Sequence, residues 1–169
     1  MDAENGNAYS NNNHRRVPFK IPDDSIFQQW VAGSKVIAGI FPLLSDSSLS
    51  PDIMLGNVPS LFSKLKRNKK GFWPRGICEY IAIPVYLSDE FNSSIIDFVH
   101  HRPNYKWALR HEPVLYNYRT NKAEMHIGSE PKDAVFRPFL FSVVVSTLSE
   151  YSKLAGFSGG LTINGISAV

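Results

Sequence analysis

A chain of 169 residues, 43% of them hydrophobic, has the size of one ordinary domain and enough apolar mass for a proper core. Its formal charge of +3 conceals a local concentration, because Lys64, Lys66, Arg67, Lys69, Lys70 and Arg75 alone supply six positive charges and leave the rest net acidic. The single cysteine, Cys78, excludes an internal disulfide and fits a reduced, intracellular setting with the thiol as buried packing.

Residues 1–16 are rich in Asn, Ser and Gly, with Tyr9 the lone aromatic. Such a segment buries too little apolar surface to offset its ordering entropy, so it reads as a disordered polar arm. It has no apolar stretch of the kind a secretory signal needs, and no run in the chain approaches the roughly 18 apolar residues of a transmembrane helix. Residues 17–169 are then expected to form a single globular α+β domain.

Pro18 and Pro22 favour an extended lead-in. Asp23, Asp24 and Ser25 offer an N-cap, and Ile26, Phe27, Trp30 and Val31 give a short helix its inner face, with Gly33 as its stop. Lys35–Phe41 reads as a buried strand that Pro42 ends or bulges. After the loop SDSSLSPD comes a second short helix, with Pro59 in its first turn and Leu61, Phe62 and Leu65 inward. The 11 prolines and 11 glycines cut the chain into short pieces and lean toward β-rich architecture.

Strands concentrate in the middle. Ile77–Leu87 is apolar on both alternating sets and predicts a central strand covered on both faces. Ser93–His101 and Lys106–Arg119 are expected as the next two strands, the latter interrupted at Pro113. Thr120-Asn121-Lys122 is a tight turn that returns Ala123–Ile127 as a hairpin partner. The expected sheet is an antiparallel β-meander, sandwich-like, packed by a C-terminal amphipathic helix and one or two short N-terminal helices. That C-terminal helix spans Ala134–Leu154, capped by Asp133 and stopped by Gly156. Its stripe is Phe136, Phe139, Leu140, Val143, Val144, Thr147, Leu148, Tyr151 and Leu154. The tail GFSGGLTINGISAV adds a short strand at Leu161–Ile163.

The basic loop 64–75 is the functional candidate. Lys64, Lys66, Arg67, Lys69, Lys70 and Arg75 surround Phe72 and Trp73, and no Asp or Glu occurs from Ile53 to Cys78. Clustered cations meet polyanions, and an aromatic beside them stacks on a base or sits at a lipid headgroup interface. The plainer alternative is a solvated loop. Lys64, Lys66 and Arg67 also suit the last turn of a helix, where its dipole favours cations.

No catalytic set has a specific spacing. His100 and His101, adjacent on a predicted strand, face opposite sides, and no His-x-x-x-His or Cys-x-x-Cys pattern exists. Asp97 with His100 or His111 is the only acid–base pair worth naming, while Arg110, His111 and Glu112 read as strand-surface residues. Tyr80–Ile83 and Tyr151–Leu154 match short sorting tetrapeptides but fall in segments expected to be core. The residues give no reason to expect an enzyme, a metal or a cofactor.

The plan as a whole comprises the polar arm, the basic loop Lys64–Arg75, the strands from Ile77 to Ile127, and a helix ending in GFSGGL. It resembles the small matrix proteins of non-segmented negative-strand RNA viruses, in particular those of plant rhabdoviruses. The resemblance rests on size, charge and layout over nearly the full chain. It implies a structural virion protein that self-associates into a homo-oligomer and binds an anionic membrane surface and the viral nucleocapsid or RNA. Its expected location is the virion or host cytoplasm, with peripheral membrane contact. The arm lacks a dense lysine cluster, and no Pro-Pro-x-Tyr or Pro-Thr-Ala-Pro tetrapeptide is present. An RNA-binding protein, such as a viral silencing suppressor or small coat protein, is the alternative.

Overall fold

The computed structural model describes residues 17–67, 78–101, 105–106, 109–126 and 133–168. Strands β1 (Ser25–Val31) and β2 (Ser34–Leu44) are followed by helix α1 (Pro51–Arg67) and strand β3 (Cys78–Ser88). Next come α2 (Ser93–His101), β4 (Tyr105–Lys106), β5 (Leu109–His111), β6 (Val114–Asn117) and β7 (Lys122–Glu124). The chain closes with α3 (Asp133–Leu154), β8 (Thr162–Ile163) and β9 (Ile166–Ser167).

The strands form one curled, mixed sheet in the order β1-β2-β3-β6-β7-β8-β9, and this overturns the antiparallel meander expected from the sequence. β2 pairs in parallel with β3, β3 with both β5 and β6, and β7 with β8. β5 and β6 make one broken line beside β3, interrupted at Glu112-Pro113. Among the described strands, β1–β2, β4–β5, β6–β7 and β8–β9 are the antiparallel pairs.

Parallel neighbours need a crossover, and each helix supplies one. Right-handed crossovers place α1 and α2 on the same face, because β2, β3 and β6 follow one another in one direction across the sheet. The β6–β7 hairpin reverses strand direction while the sheet keeps growing the same way, so the third crossover must cover the opposite face. The packing agrees with that rule. Val36, Ala38, Ile40, Ile81, Ile83, Val85, Val114 and Tyr116 pack with Leu140, Val144, Leu148 and Tyr151 of α3. The alternate residues Ile37, Phe41 and Ala82 pack with Leu61, Phe62 and Leu65 of α1, and Tyr86 and Leu115 with Ile95 and Val99 of α2.

Two elements change type from the sequence expectation. Residues 25–31 are a strand rather than a helix, since Ala32 and Gly33 take φ of 48° and 80° and close a tight hairpin onto β2. Ser93–His101 is a helix rather than a strand, capped where Asn92 Oδ1 accepts the Ile95 N–H at 2.9 Å. α1 also begins earlier than expected. Pro51 takes the first turn, Ser50 Oγ accepts the Ile53 N–H at 3.3 Å, and Pro59 sits inside the helix. The carbonyl that Pro59 leaves unbonded within the helix belongs to Leu55, which is exposed, so water can satisfy it.

β2 runs on through Pro42 to Leu44. β1 ends opposite Ile40, so Pro42 lies beside an open edge where proline is tolerated. Gly39 lies under α1, where a Cβ would stand 2.7 Å from Phe41 Cζ and 2.8 Å from Leu65 Cδ1, so a larger residue there must displace those side-chain ends. Leu154, expected inside, is 52% exposed at the end of α3.

The buried tyrosines carry a pH dependence. Tyr116 donates its hydroxyl to Asn121 Oδ1 at 2.9 Å, and Asn121, at φ 56°, turns the β6–β7 hairpin. Burial pushes Tyr116 up from 10.0 to about 12, and burial, then the charges of Glu150 and Asp24, push Tyr151 up as well. A raised folded pKa gives stability that is complete below the unfolded value near 10 and is lost as pH rises through the folded one. Urea midpoints are therefore expected to hold to about pH 10 and then fall steeply toward pH 12. A midpoint that stays flat across that window would refute the assignment.

Candidate functional site

The basic stretch begins on the last turns of α1. Lys64 lies 3.7 Å from Asp24 and over the Phe41 ring at 5.9 Å, so its ammonium ties α1 to the first hairpin. Lys66 is exposed, and Arg67 is the last residue of the helix. Lys69, Lys70, Phe72, Trp73 and Arg75 lie outside the described residues, as does the arm 1–16. The structure therefore places the start of the candidate patch and gives one of its cations a packing role.

The histidines are arranged differently from expectation. On a helix, His100 and His101 are neighbours whose rings meet edge to face at 6.0 Å. His100 Nε2 lies 2.6 Å from Glu124 Oε2 and joins α2 to β7. Asp97 meets His101 at 3.1 Å, one turn away on an exposed face, rather than His100. His111 is buried on β5, so the acid–base pair drawn from the sequence is not assembled. Among the described residues no group of three His, Cys, Asp or Glu side chains could hold a metal ion, and the Cys78 side chain lies outside them.

A second site was missed in the sequence. Arg110 and Glu112, read there as strand-surface residues, are each 2% exposed, with Arg110 Nη2 donating to Glu112 Oε1 at 3.0 Å. Two residues apart on the same line of strand, they point to the same face, the one that α3 covers. The Arg110 guanidinium stacks over the Phe136 ring of α3 at 5.6 Å.

Both ends of this pair line a cleft of about 130 Å³ between α3 and the end of the sheet. Arg137, Leu140 and Phe141, at i, i+3 and i+4 on α3, make one wall. Met125, Ile163 and Ile166 make the apolar side opposite, with His126 beside them. Asn164 and Gly165, at φ 53° and 77°, turn the β8–β9 hairpin, and Asn164 Oδ1 accepts the Met125 N–H at 2.9 Å. That hydrogen bond fixes the hairpin against the strand that leads to His126.

Compared with known proteins, the chain matches no family model, no curated protein and no solved structure. Among the described residues no helix is long and apolar enough to cross a membrane.

Proposed function

We propose that the chain is a non-enzymatic, matrix-like viral structural protein. In this reading it self-associates and binds anionic membrane and the viral nucleocapsid through Lys64–Arg75. It acts in the virion or the host cytoplasm as a peripheral membrane protein. The observation that carries the reading is the run of six cations, with Phe72 and Trp73 among them and no acid between Ile53 and Cys78. Its first members lie on α1, where Lys64 is held by Asp24 and Lys66 is exposed. Support for self-association comes from β1, which pairs with β2 alone among the described strands and carries Trp30 at 59% exposure. A strand edge of this kind is a template for pairing with another chain.

The test is liposome sedimentation and RNA titration at several salt concentrations. Each lysine near an anionic surface contributes about 1 kcal/mol, so Lys66, Lys69 and Lys70 changed together to Ala should lose about 3 kcal/mol of membrane binding. Trp73→Ala should weaken lipid binding in a way added salt does not reproduce, because its contribution is interfacial. If the triple variant keeps full affinity for both ligands, the stretch is a solvated loop. If RNA alone is lost, with a log–log salt slope flatter by about 0.7 per phosphate contact, the protein is an RNA binder of the silencing-suppressor or coat type instead.

A further inference from the structure

We propose that β1 is a self-pairing edge, on which a second copy of this chain adds its own β1 antiparallel about Gln28 and carries the sheet across a two-fold axis. This deepens the self-association in the proposed function and rests on that part of it, not on the basic stretch.

The β1 edge is open in a way the other ends of the sheet are not. Among the described strands β1 pairs with β2 alone, over 7 residues and with no break in register. Natural sheets blunt an edge with charge, proline, a bulge or a very short strand. β4 and β9 are each 2 residues long, and Pro42 interrupts the part of β2 that runs past β1. The strand SIFQQWV has none of these devices. A solvated monomer edge is the plainer explanation, but it gives no reason for a tryptophan 59% exposed on a strand without one charge.

The phase of the first hairpin says which backbone groups face outward. Ala32 and Gly33 form a two-residue turn, so Val31 and Ser34 exchange both hydrogen bonds, and the pattern returns at Gln29, Phe27 and Ser25. The N–H and C=O groups of Ile26, Gln28 and Trp30 therefore point away from β2. An antiparallel copy aligned about Gln28 sets Gln28 against the partner's Gln28 and Ile26 against the partner's Trp30. All three residues are then used, in about six backbone hydrogen bonds. Trp30 closes over an Ile26 that α1 leaves half-buried, once at each end of the joint, as an aromatic and β-branched cross-strand pair. Charge favours the same alignment. Asp23 is exposed just before the strand, and Lys35 pairs with Trp30 just after the turn. Antiparallel copies bring that acid toward that base, whereas parallel copies would set acid beside acid.

The full chain would be followed by sedimentation velocity over a range of concentrations at low salt. The wild type should show a concentration-dependent monomer–dimer equilibrium. Gln28→Lys and, separately, Gln28→Glu should each weaken the dimer about tenfold or more, because like charges meet at the axis. An equimolar mixture of the two variants should recover the dimer, since lysine then faces glutamate. Gln28 is exposed, so both variants should keep the wild-type circular dichroism spectrum at dilute, monomeric concentration. A changed spectrum would place Gln28 in the packing of the monomer and overturn the proposal. Variants that dimerise as tightly as the wild type would overturn the β1 assignment alone and leave self-association to another surface. A wild type monomeric at every concentration would overturn both. A mixture that does not recover the dimer would overturn the alignment about Gln28.

Discussion

Glu112→Ala is expected to destabilise the fold by about 3–5 kcal/mol, because it removes the carboxylate to which the buried Arg110 guanidinium donates. Both side chains are 2% exposed, so most of the lost carboxylate's interaction is not recovered from solvent, even though the pair lines the cleft under α3. Asp89→Ala serves as the comparison. Its partner Arg119 is 66% exposed, and removing an ion pair of that kind typically costs about 0.2–1 kcal/mol. The double variant Arg110→Met with Glu112→Leu should cost less than Glu112→Ala alone, since it removes both desolvated charges together. Urea denaturation of the four proteins decides the matter. A Glu112→Ala cost no larger than that of Asp89→Ala would mean that the buried pair contributes no more than an exposed one.

That buried pair shows where the sequence stops being informative. A charged triplet, Arg110-His111-Glu112, reads as surface because such residues are seldom buried without partners. The partner here is two positions away on the same strand, and the ring above it arrives from α3, far along the chain. The pattern of residue types contains neither contact. The apolar run Ile77–Leu87, by contrast, announces a strand covered on both faces, which is what β3 is.

The topology went astray through one short segment. Ser93–His101 holds Ile95, Ile96 and Val99, and its β-branched content favours a strand, while the i, i+4 spacing and Asn92 as cap favour a helix. Taken as a strand, it fills the sheet between β3 and the Lys106–Arg119 run and makes a meander natural. Taken as a helix, it becomes a crossover, and β3 and β6 must be parallel. The same ambiguity turned β1 into a helix, because Ile26, Phe27, Trp30 and Val31 fit one turn of spacing as well as two faces of a strand. The hairpin at Asn121, the central strand at Ile77–Leu87 and the long C-terminal helix were legible because each has a strong local signal. The cleft, assembled from four separated stretches of chain, was not.

The C-terminal helix allows a sharp test of how much stability the α3 face carries. Leu148 is fully buried among the strands of the central sheet, and Leu148→Ala should cost about 2–5 kcal/mol through lost transfer energy and the cavity left behind. The upper half of that range is expected, because the site is closed by strands on one side and by α3 itself on the other, and neither can collapse into the gap. Ser146, two positions earlier on the exposed side, should tolerate alanine within about 0.5 kcal/mol. The comparison also separates packing from helix propensity, since alanine is the better helix former at both positions and propensity alone would stabilise both variants. Urea midpoints at constant m-value supply the numbers. If the two substitutions cost the same, α3 is not seated on the sheet through Leu148, and the assignment of this face as the main core is wrong.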